Sequence, residues 1–136
     1  TLAPELEGAF DLIEALAAHG IVVSLGHTDA TAAVAQDAFD RGARTVTHLF
    51  NAMRPLHHRD PGLAGVALAR EDVVVQLIAD GVHVAPEAIL TAWRAARGRL
   101  VLVSDAIAAA GLGDGSFSLG GVRVTVRADI VEFTKE

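Results

Sequence analysis

Four short apolar runs, each followed within a few residues by a histidine or an aspartate, constrain this chain's fold more than any other feature. They are Ile21–Leu25, Thr45–Leu49, Val73–Ala79 and Leu100–Val103. The segments between them carry apolar residues at helical spacing. Pro4–His19 places Leu6, Ala9, Phe10, Ile13, Leu16 and Ala17 on one stripe. Pro4 suits a first turn, Glu5 and Glu7 suit the positive end of a helix, and Gly20 supplies the stop. A second helix is expected over Ala30–Arg41, capped by Thr28 or Asp29 and closed by Gly42. Leu63–Arg70 reads as a short helix, and Pro86–Arg97 as another, with Ile89, Leu90 and Trp93 on its stripe. Phe10 and Trp93 are accordingly expected in the core. Strands alternating with helices imply successive βα units and a parallel sheet. Val73–Ala79 is apolar nearly throughout, as a strand buried on both faces should be.

Composition agrees with an α/β fold. Hydrophobic residues make up 51% of the chain but aromatics only 4%, so the apolar mass is aliphatic, unlike that of a β-sandwich. The 136 residues make one domain and cannot hold a complete eight-stranded α/β barrel, which takes about 250 residues. After Asp105 the character changes. Ala106–Gly115 is small and glycine-rich, and Phe117–Leu119, Gly120-Gly121 and Val122–Arg127 read as a β-hairpin. The expected organisation is therefore a parallel βα region over residues 1–115, then the start of a small β domain or a non-native tail over residues 116–136.

Several function classes are disfavoured. The net charge of −6 and the lack of a Lys/Arg stripe argue against a nucleic-acid partner. Without cysteine there are no disulfides, thiolate zinc sites or thiol nucleophiles. No apolar run reaches the roughly 18 residues of a membrane span, and Thr1–Glu5 does not resemble a signal peptide. A cytoplasmic protein is the expectation.

The chemistry lies just past the strands. Ile21–Leu25 is followed by His27, Thr45–Thr47 by His48, Val73–Ala79 by Asp80 and His83, and Leu100–Ser104 by Asp105. In parallel α/β folds substrates and metals bind at the C-terminal strand edge, where the loops converge. One strand-end histidine reads first as a capping residue; four such positions on consecutive strands point to a site. Imidazole nitrogen with carboxylate suits a divalent metal that activates water, and Asp105 is placed to take the proton and return it to a leaving amine. Asp80 stands too close to His83 in sequence for its role to be assigned from spacing. Arg59 is the best-placed cation for a phosphate or carboxylate on a small substrate. His57 and His58 read as solvated, and His19 as complementing a helix end.

Six segments occur in order: Thr1-Leu2-Ala3-Pro4-Glu5, Gly26-His27-Thr28-Asp29-Ala30, Thr47-His48-Leu49-Phe50-Asn51-Ala52-Met53, Asp60-Pro61-Gly62-Leu63-Ala64-Gly65, Ala79-Asp80-Gly81-Val82-His83-Val84 and Val103-Ser104-Asp105-Ala106. Together they resemble the N-acetylglucosamine-6-phosphate deacetylases, a group of metal-dependent α/β-barrel hydrolases in the amidohydrolase superfamily. The resemblance runs to about residue 126. It implies a TIM-like barrel of which this chain holds about half, four of eight strands. It also implies hydrolysis of the acetamide of N-acetylglucosamine 6-phosphate to glucosamine 6-phosphate and acetate.

By matching motif, His27 and His48 resemble ligands of the catalytic metal, zinc or iron, and Asp105 the general base and acid. Asn51, the backbone at Ala52, and Arg59 resemble substrate contacts, with Arg59 toward the sugar phosphate. Asp80, Gly81, Val82 and His83 resemble another substrate-binding segment, with His83 placed to bind or polarise the acetamide. The third metal ligand that the resemblance implies, a glutamate, has no match here. Residues 128–136 do not follow the family pattern. A half barrel exposes strand edges and apolar surface, so the chain is expected to form a homo-oligomer and to have little activity by itself. The alternatives are a non-catalytic assembly module, or another amidohydrolase acting on a cyclic amide.

Overall fold

In the computed structural model, which describes residues 1–127 and 130–133, each apolar run becomes a short strand and each helical stripe a helix. The first unit, Thr1–Ser104, contains α1 (Ala9–Ala18), β1 (Ser24–Leu25), α2 (Ala32–Asp40), β2 (Thr45–Val46), α3 (Gly62–Ala69), β3 (Val74–Leu77), α4 (Pro86–Ala95) and β4 (Leu100–Leu102). The four strands are parallel and lie in the order β1-β2-β3-β4, with Ser24 beside Thr45, Thr45 beside Val74 and Val75 beside Leu100. This order has no reversal, so the sheet has no topological switch point, and all four strand ends face one edge. Leu2 adds a parallel bridge on the free side of β1: its N–H donates to Ser24 O at 3.0 Å, and its carbonyl accepts from Gly26 N at 3.2 Å.

One core cluster joins the sheet to the helices. Ile13, Leu25, Phe39, Val46, Leu49, Leu63, Val75 and Leu77 are fully buried in it. Burying each such side chain contributes roughly 1.5–3 kcal/mol, which fixes short strands that propensity alone would not hold.

Four local expectations are corrected. The first helix begins at Ala9 rather than Pro4, because Gly8 adopts a left-handed conformation (φ 75°) and Glu5 turns toward the loop after β1. The cap of α2 is Thr31, whose Oγ1 accepts from Val34 N; Thr28 and Asp29 are engaged elsewhere. In β3, Val75 and Leu77 are buried while Val74 is 41% exposed, so the strand is packed on one face only. Trp93 is 55% exposed rather than core, because α4 packs against α3 on one flank and leaves its outer side open.

The second unit starts at Asp105. Its strands β5 (Gly115–Leu119), β6 (Val122–Arg127) and β7 (Ile130–Phe133) form an antiparallel sheet with β6 in the centre. The expected hairpin is therefore two strands of three. Gly120 and Gly121 both take positive φ (57° and 86°), as a tight hairpin turn matched to strand twist requires. Of the stretch 128–136, only β7 falls within the described residues; residues 128–129 and 134–136 lie outside them. Among the described residues no helix is long and apolar enough to cross a membrane.

Candidate active site

Backbone strain marks the strand ends. The described non-glycine residues with positive φ are His27 (51°), His48 (30°), Phe50 (76°), Ala52 (47°) and Asp105 (49°). All follow β1, β2 or β4. A left-handed non-glycine residue costs on the order of 1–3 kcal/mol and persists only where its surroundings over-determine it. Three of the five are the residues that the strand-end pattern singles out for chemistry.

His27 and His48 meet across the ends of β1 and β2. Their Nε2 atoms are 2.8 Å apart, with the rings edge to face at 4.7 Å between centroids. His48 is buried, whereas His27 is open to solvent. Two neutral imidazoles can approach this closely only if one Nε2–H donates to the lone pair of the other. A divalent ion can replace that shared proton. Nitrogens at about 2.0–2.1 Å from a tetrahedral ion stand about 3.3 Å apart, so the pair would open by about 0.5 Å. The donors thus fit two corners of such a site. The buried Nδ1 of His48 has no partner among the described residues, although ligating histidines ordinarily donate from that atom to a carboxylate or carbonyl. Among the described residues no group of three His, Cys, Asp or Glu is placed to hold an ion.

The loop after β2 folds back on His48. Asn51 N donates to His48 O at 3.0 Å, and the Asn51 side-chain amide donates to His48 O and Leu49 O at 3.4 and 3.3 Å. Ala52 O accepts from Thr28 N at 3.0 Å, which joins this loop to the one carrying His27. Arg59 is exposed and makes no ion pair among the described residues; its own N–H donates to His57 Nδ1 at 3.3 Å.

At the end of β3, Asp80 and His83 form a second pair. One Asp80 oxygen accepts from the N–H groups of Val82 and His83, both at 2.9 Å, and the other lies 2.6 Å from His83 Nδ1. The backbone N–H of His83 and that of Val82, with the His83 ring, hold the Asp80 carboxyl at about 2, below its usual 3.8. One carboxylate oxygen thus fixes the local backbone and the other the His83 ring, through Nδ1. Gly81 (φ 77°) makes the turn between them, and Val82 is exposed. Asp105, three residues past β4, is exposed and begins the second unit.

No family model matches the chain. Among curated proteins it is 48% identical over 128 residues to the N-acetylglucosamine-6-phosphate deacetylase of Bacillus subtilis, covering 93% of this chain and 32% of that protein. The corresponding structure from Mycobacterium smegmatis, a mutant in complex with N-acetyl-D-glucosamine-6-phosphate, superimposes with a TM-score of 0.95 at 40% identity, covering 99% of this chain and 36% of that one. This chain matches one third of an N-acetylglucosamine-6-phosphate deacetylase. The N-acetylgalactosamine-6-phosphate deacetylase of Escherichia coli O157:H7 is also similar, at 42% identity over 130 residues, covering 96% of this chain and 34% of that protein. The chain spans about a third of the length of the curated relatives that it matches.

Against these deacetylases the folded segment shows two polar residues that strand-end reasoning passed over. Glu5 accepts from Thr28 Oγ1 and, at 2.8 Å, from Asp29 N. Burial raises the Glu5 carboxyl, and the hydrogen bonds from Thr28 and Asp29 more than offset this, leaving it below its usual value. Arg54 grips Asp29 through Nε and Nη2 and Asp60 through Nη1 at 2.8 Å. Hydrogen bonds from the guanidinium to Asp29 and Asp60 raise its already high pKa. Glu5 reads in sequence as a helix-end acid, and Arg54 as an ordinary loop cation. Only the charge alternation of Asp29, Arg54 and Asp60 hints at their pairing.

Proposed function

We propose that the chain forms part of a metal-dependent deacetylase acting on an N-acetylated hexosamine 6-phosphate, N-acetylglucosamine 6-phosphate first. The observation that carries this reading is the His27–His48 pair: two strained residues on neighbouring parallel strands, aimed at one point 2.8 Å across. The matched deacetylases support the substrate class. The parallel order without reversal supports a barrel segment of four strands, with the rest of the barrel and a third ligand supplied from outside the described residues.

His27 and His48 would hold the ion, zinc or iron, through Nε2. Bound there, it supplies Lewis acidity toward water and the acetamide oxygen. Asp105 takes the proton from the attacking water and delivers it to the departing amine, so one carboxyl serves both halves of the hydrolysis. Asp80 fixes the His83 ring through Nδ1, which leaves Nε2 to bind or polarise the acetamide. Arg59, with no competing carboxylate, takes the phosphate, and Asn51 and the Ala52 backbone line the sugar site.

The test is a chimera in which this segment replaces its counterpart in the Bacillus subtilis relative, assayed for acetate release with zinc. We expect turnover of N-acetylglucosamine 6-phosphate by the chimera, its loss in Asp105→Asn, and no turnover by the chain alone. A folded, zinc-loaded chimera without turnover would overturn the reading and favour a non-catalytic module. Faster turnover of the galactosamine epimer would reassign the substrate toward that of the Escherichia coli relative.

A further inference from the structure

The loop carrying His27 is held by contacts from two other segments. Glu5, from the segment before α1, takes the hydroxyl of Thr28 and the N–H of Asp29. That same hydroxyl accepts from Ala30 N at 3.0 Å, and Thr28 itself is buried. From the other side, Arg54 Nε reaches both Asp29 O and Asp29 Oδ1 at 3.2 Å, and Nη2 reaches Asp29 Oδ2 at 2.9 Å. The remaining arm of Arg54 anchors on Asp60, in the loop that bears Arg59. Thr28 N also donates to Ala52 O. The N–H groups of Thr28, Asp29 and Ala30, the Thr28 hydroxyl and the Asp29 carboxylate are thereby engaged, while the His27 ring meets His48.

We propose that Glu5 and Arg54 are positioning residues that hold His27 in its left-handed conformation and keep its Nε2 aimed at His48 before any metal arrives. The inference rests on the metal-site reading above and deepens it. Two carboxylate–hydrogen-bond clamps approach the loop from opposite flanks. Their combined effect is to oppose relaxation of the strained His27 backbone, which would swing the ring away from the neighbouring strand. Arg54 acts through Asp29, and Glu5 through Thr28 and Asp29; neither touches the ion or the substrate.

The experiment compares the wild-type chain with Glu5→Ala, Glu5→Gln, Arg54→Ala and Arg54→Lys. The metal-free readout is the imidazole nitrogen NMR spectrum, which reports the proton shared by the His27 and His48 Nε2 atoms. The second readout is zinc affinity by competition with a chromophoric chelator. We expect both alanine variants to keep the wild-type circular dichroism, lose the shared-proton signature, and bind zinc about 10–100-fold more weakly, as loss of outer-shell partners usually costs. Gln keeps one acceptor and Lys one contact, so both should fall between wild type and alanine, and both guard against loss of fold in the alanine variants. Wild-type imidazole spectra with zinc affinity within twofold in both alanine variants would overturn the proposal. If wild type itself bound no zinc, the metal reading would fail, while the imidazole spectra alone would still decide whether these residues position His27.

Discussion

Gly26→Ala probes how closely the ends of β1 and β2 must approach for the site to form. A Cβ at Gly26 would stand 2.9 Å from Thr47 Cβ, 3.3 Å from Thr1 Cγ2 and 3.4 Å from Thr47 Oγ1. Relaxed carbon contacts lie at about 3.5–4.0 Å, so Thr47 must move by about 0.6 Å or more. It is poorly free to do so. Its Oγ1 is bonded to Ser24 Oγ at 2.6 Å and to Thr1 Oγ1 at 2.9 Å, and its N–H donates to Leu25 O at 2.9 Å. Overpacking of this kind costs about 1–3 kcal/mol, and losing one hydroxyl hydrogen bond adds about 1 kcal/mol. A total of about 2–4 kcal/mol, at about 4–8 °C per kcal/mol for a unit near this size, lowers Tm by about 8–30 °C. The control is Gly8→Ala, where a Cβ meets nothing within 4 Å and only the positive φ of 75° is penalised, at about 1 kcal/mol. Thermal and urea unfolding followed by circular dichroism measure both. Because Gly26 lies between the paired strand ends and His27, its variant should also weaken zinc binding, whereas Gly8→Ala should not. A Gly26→Ala protein no less stable than Gly8→Ala, with unchanged zinc affinity, would refute the reasoning that this close approach sets the histidine spacing.

Three further outcomes are expected. The Asp80 carboxyl should titrate near 2 rather than 3.8 by carbon NMR, and His83→Ala should move it back toward the usual value. Since its folded pKa is depressed, its contribution to stability is present above about 3.8 and is lost as pH falls through about 2, a dependence that Asp80→Asn should abolish. In the chimera, Arg59→Ala should raise KM for the 6-phosphorylated sugar while leaving the unphosphorylated acetamide sugar unaffected, and equal effects on both would remove Arg59 from the phosphate site. Light scattering should find the isolated chain associated, because β4 ends the parallel sheet with Leu102 66% exposed and strand edges of this kind recruit partners; a stable monomer at micromolar concentration contradicts this.

Much of the site was legible because a parallel sheet imposes a simple rule. A chemically capable residue just past one strand comes near its counterpart past the next, and His27 and His48, 21 positions apart, meet for that reason. The same rule located Asp80 and His83 but could not separate their roles. Their division depends on both Asp80 oxygens being taken by Val82 and His83, a fact of side-chain geometry. Helix ends were misread where local signals competed with distant partners. Glu5 suits a helix N-terminus, yet two hydrogen bonds to a loop 23–24 positions away draw it out of the helix. Thr28 is a good capping residue, yet its hydroxyl serves Glu5 and Ala30, and Thr31 caps instead.

The sequence by itself determined the element types, their alternation, the parallel sheet and the strand-end residues, because hydrophobic period and turn chemistry are local properties. The tertiary structure decided what those residues do to one another. It set the 2.8 Å approach of two imidazoles, the left-handed backbone that aims them, and the Glu5 and Arg54 clamps on their loop. It also decided that Trp93, on an apolar stripe, stays 55% exposed. Burial and pairing depend on which elements become neighbours, and no local pattern carries that information.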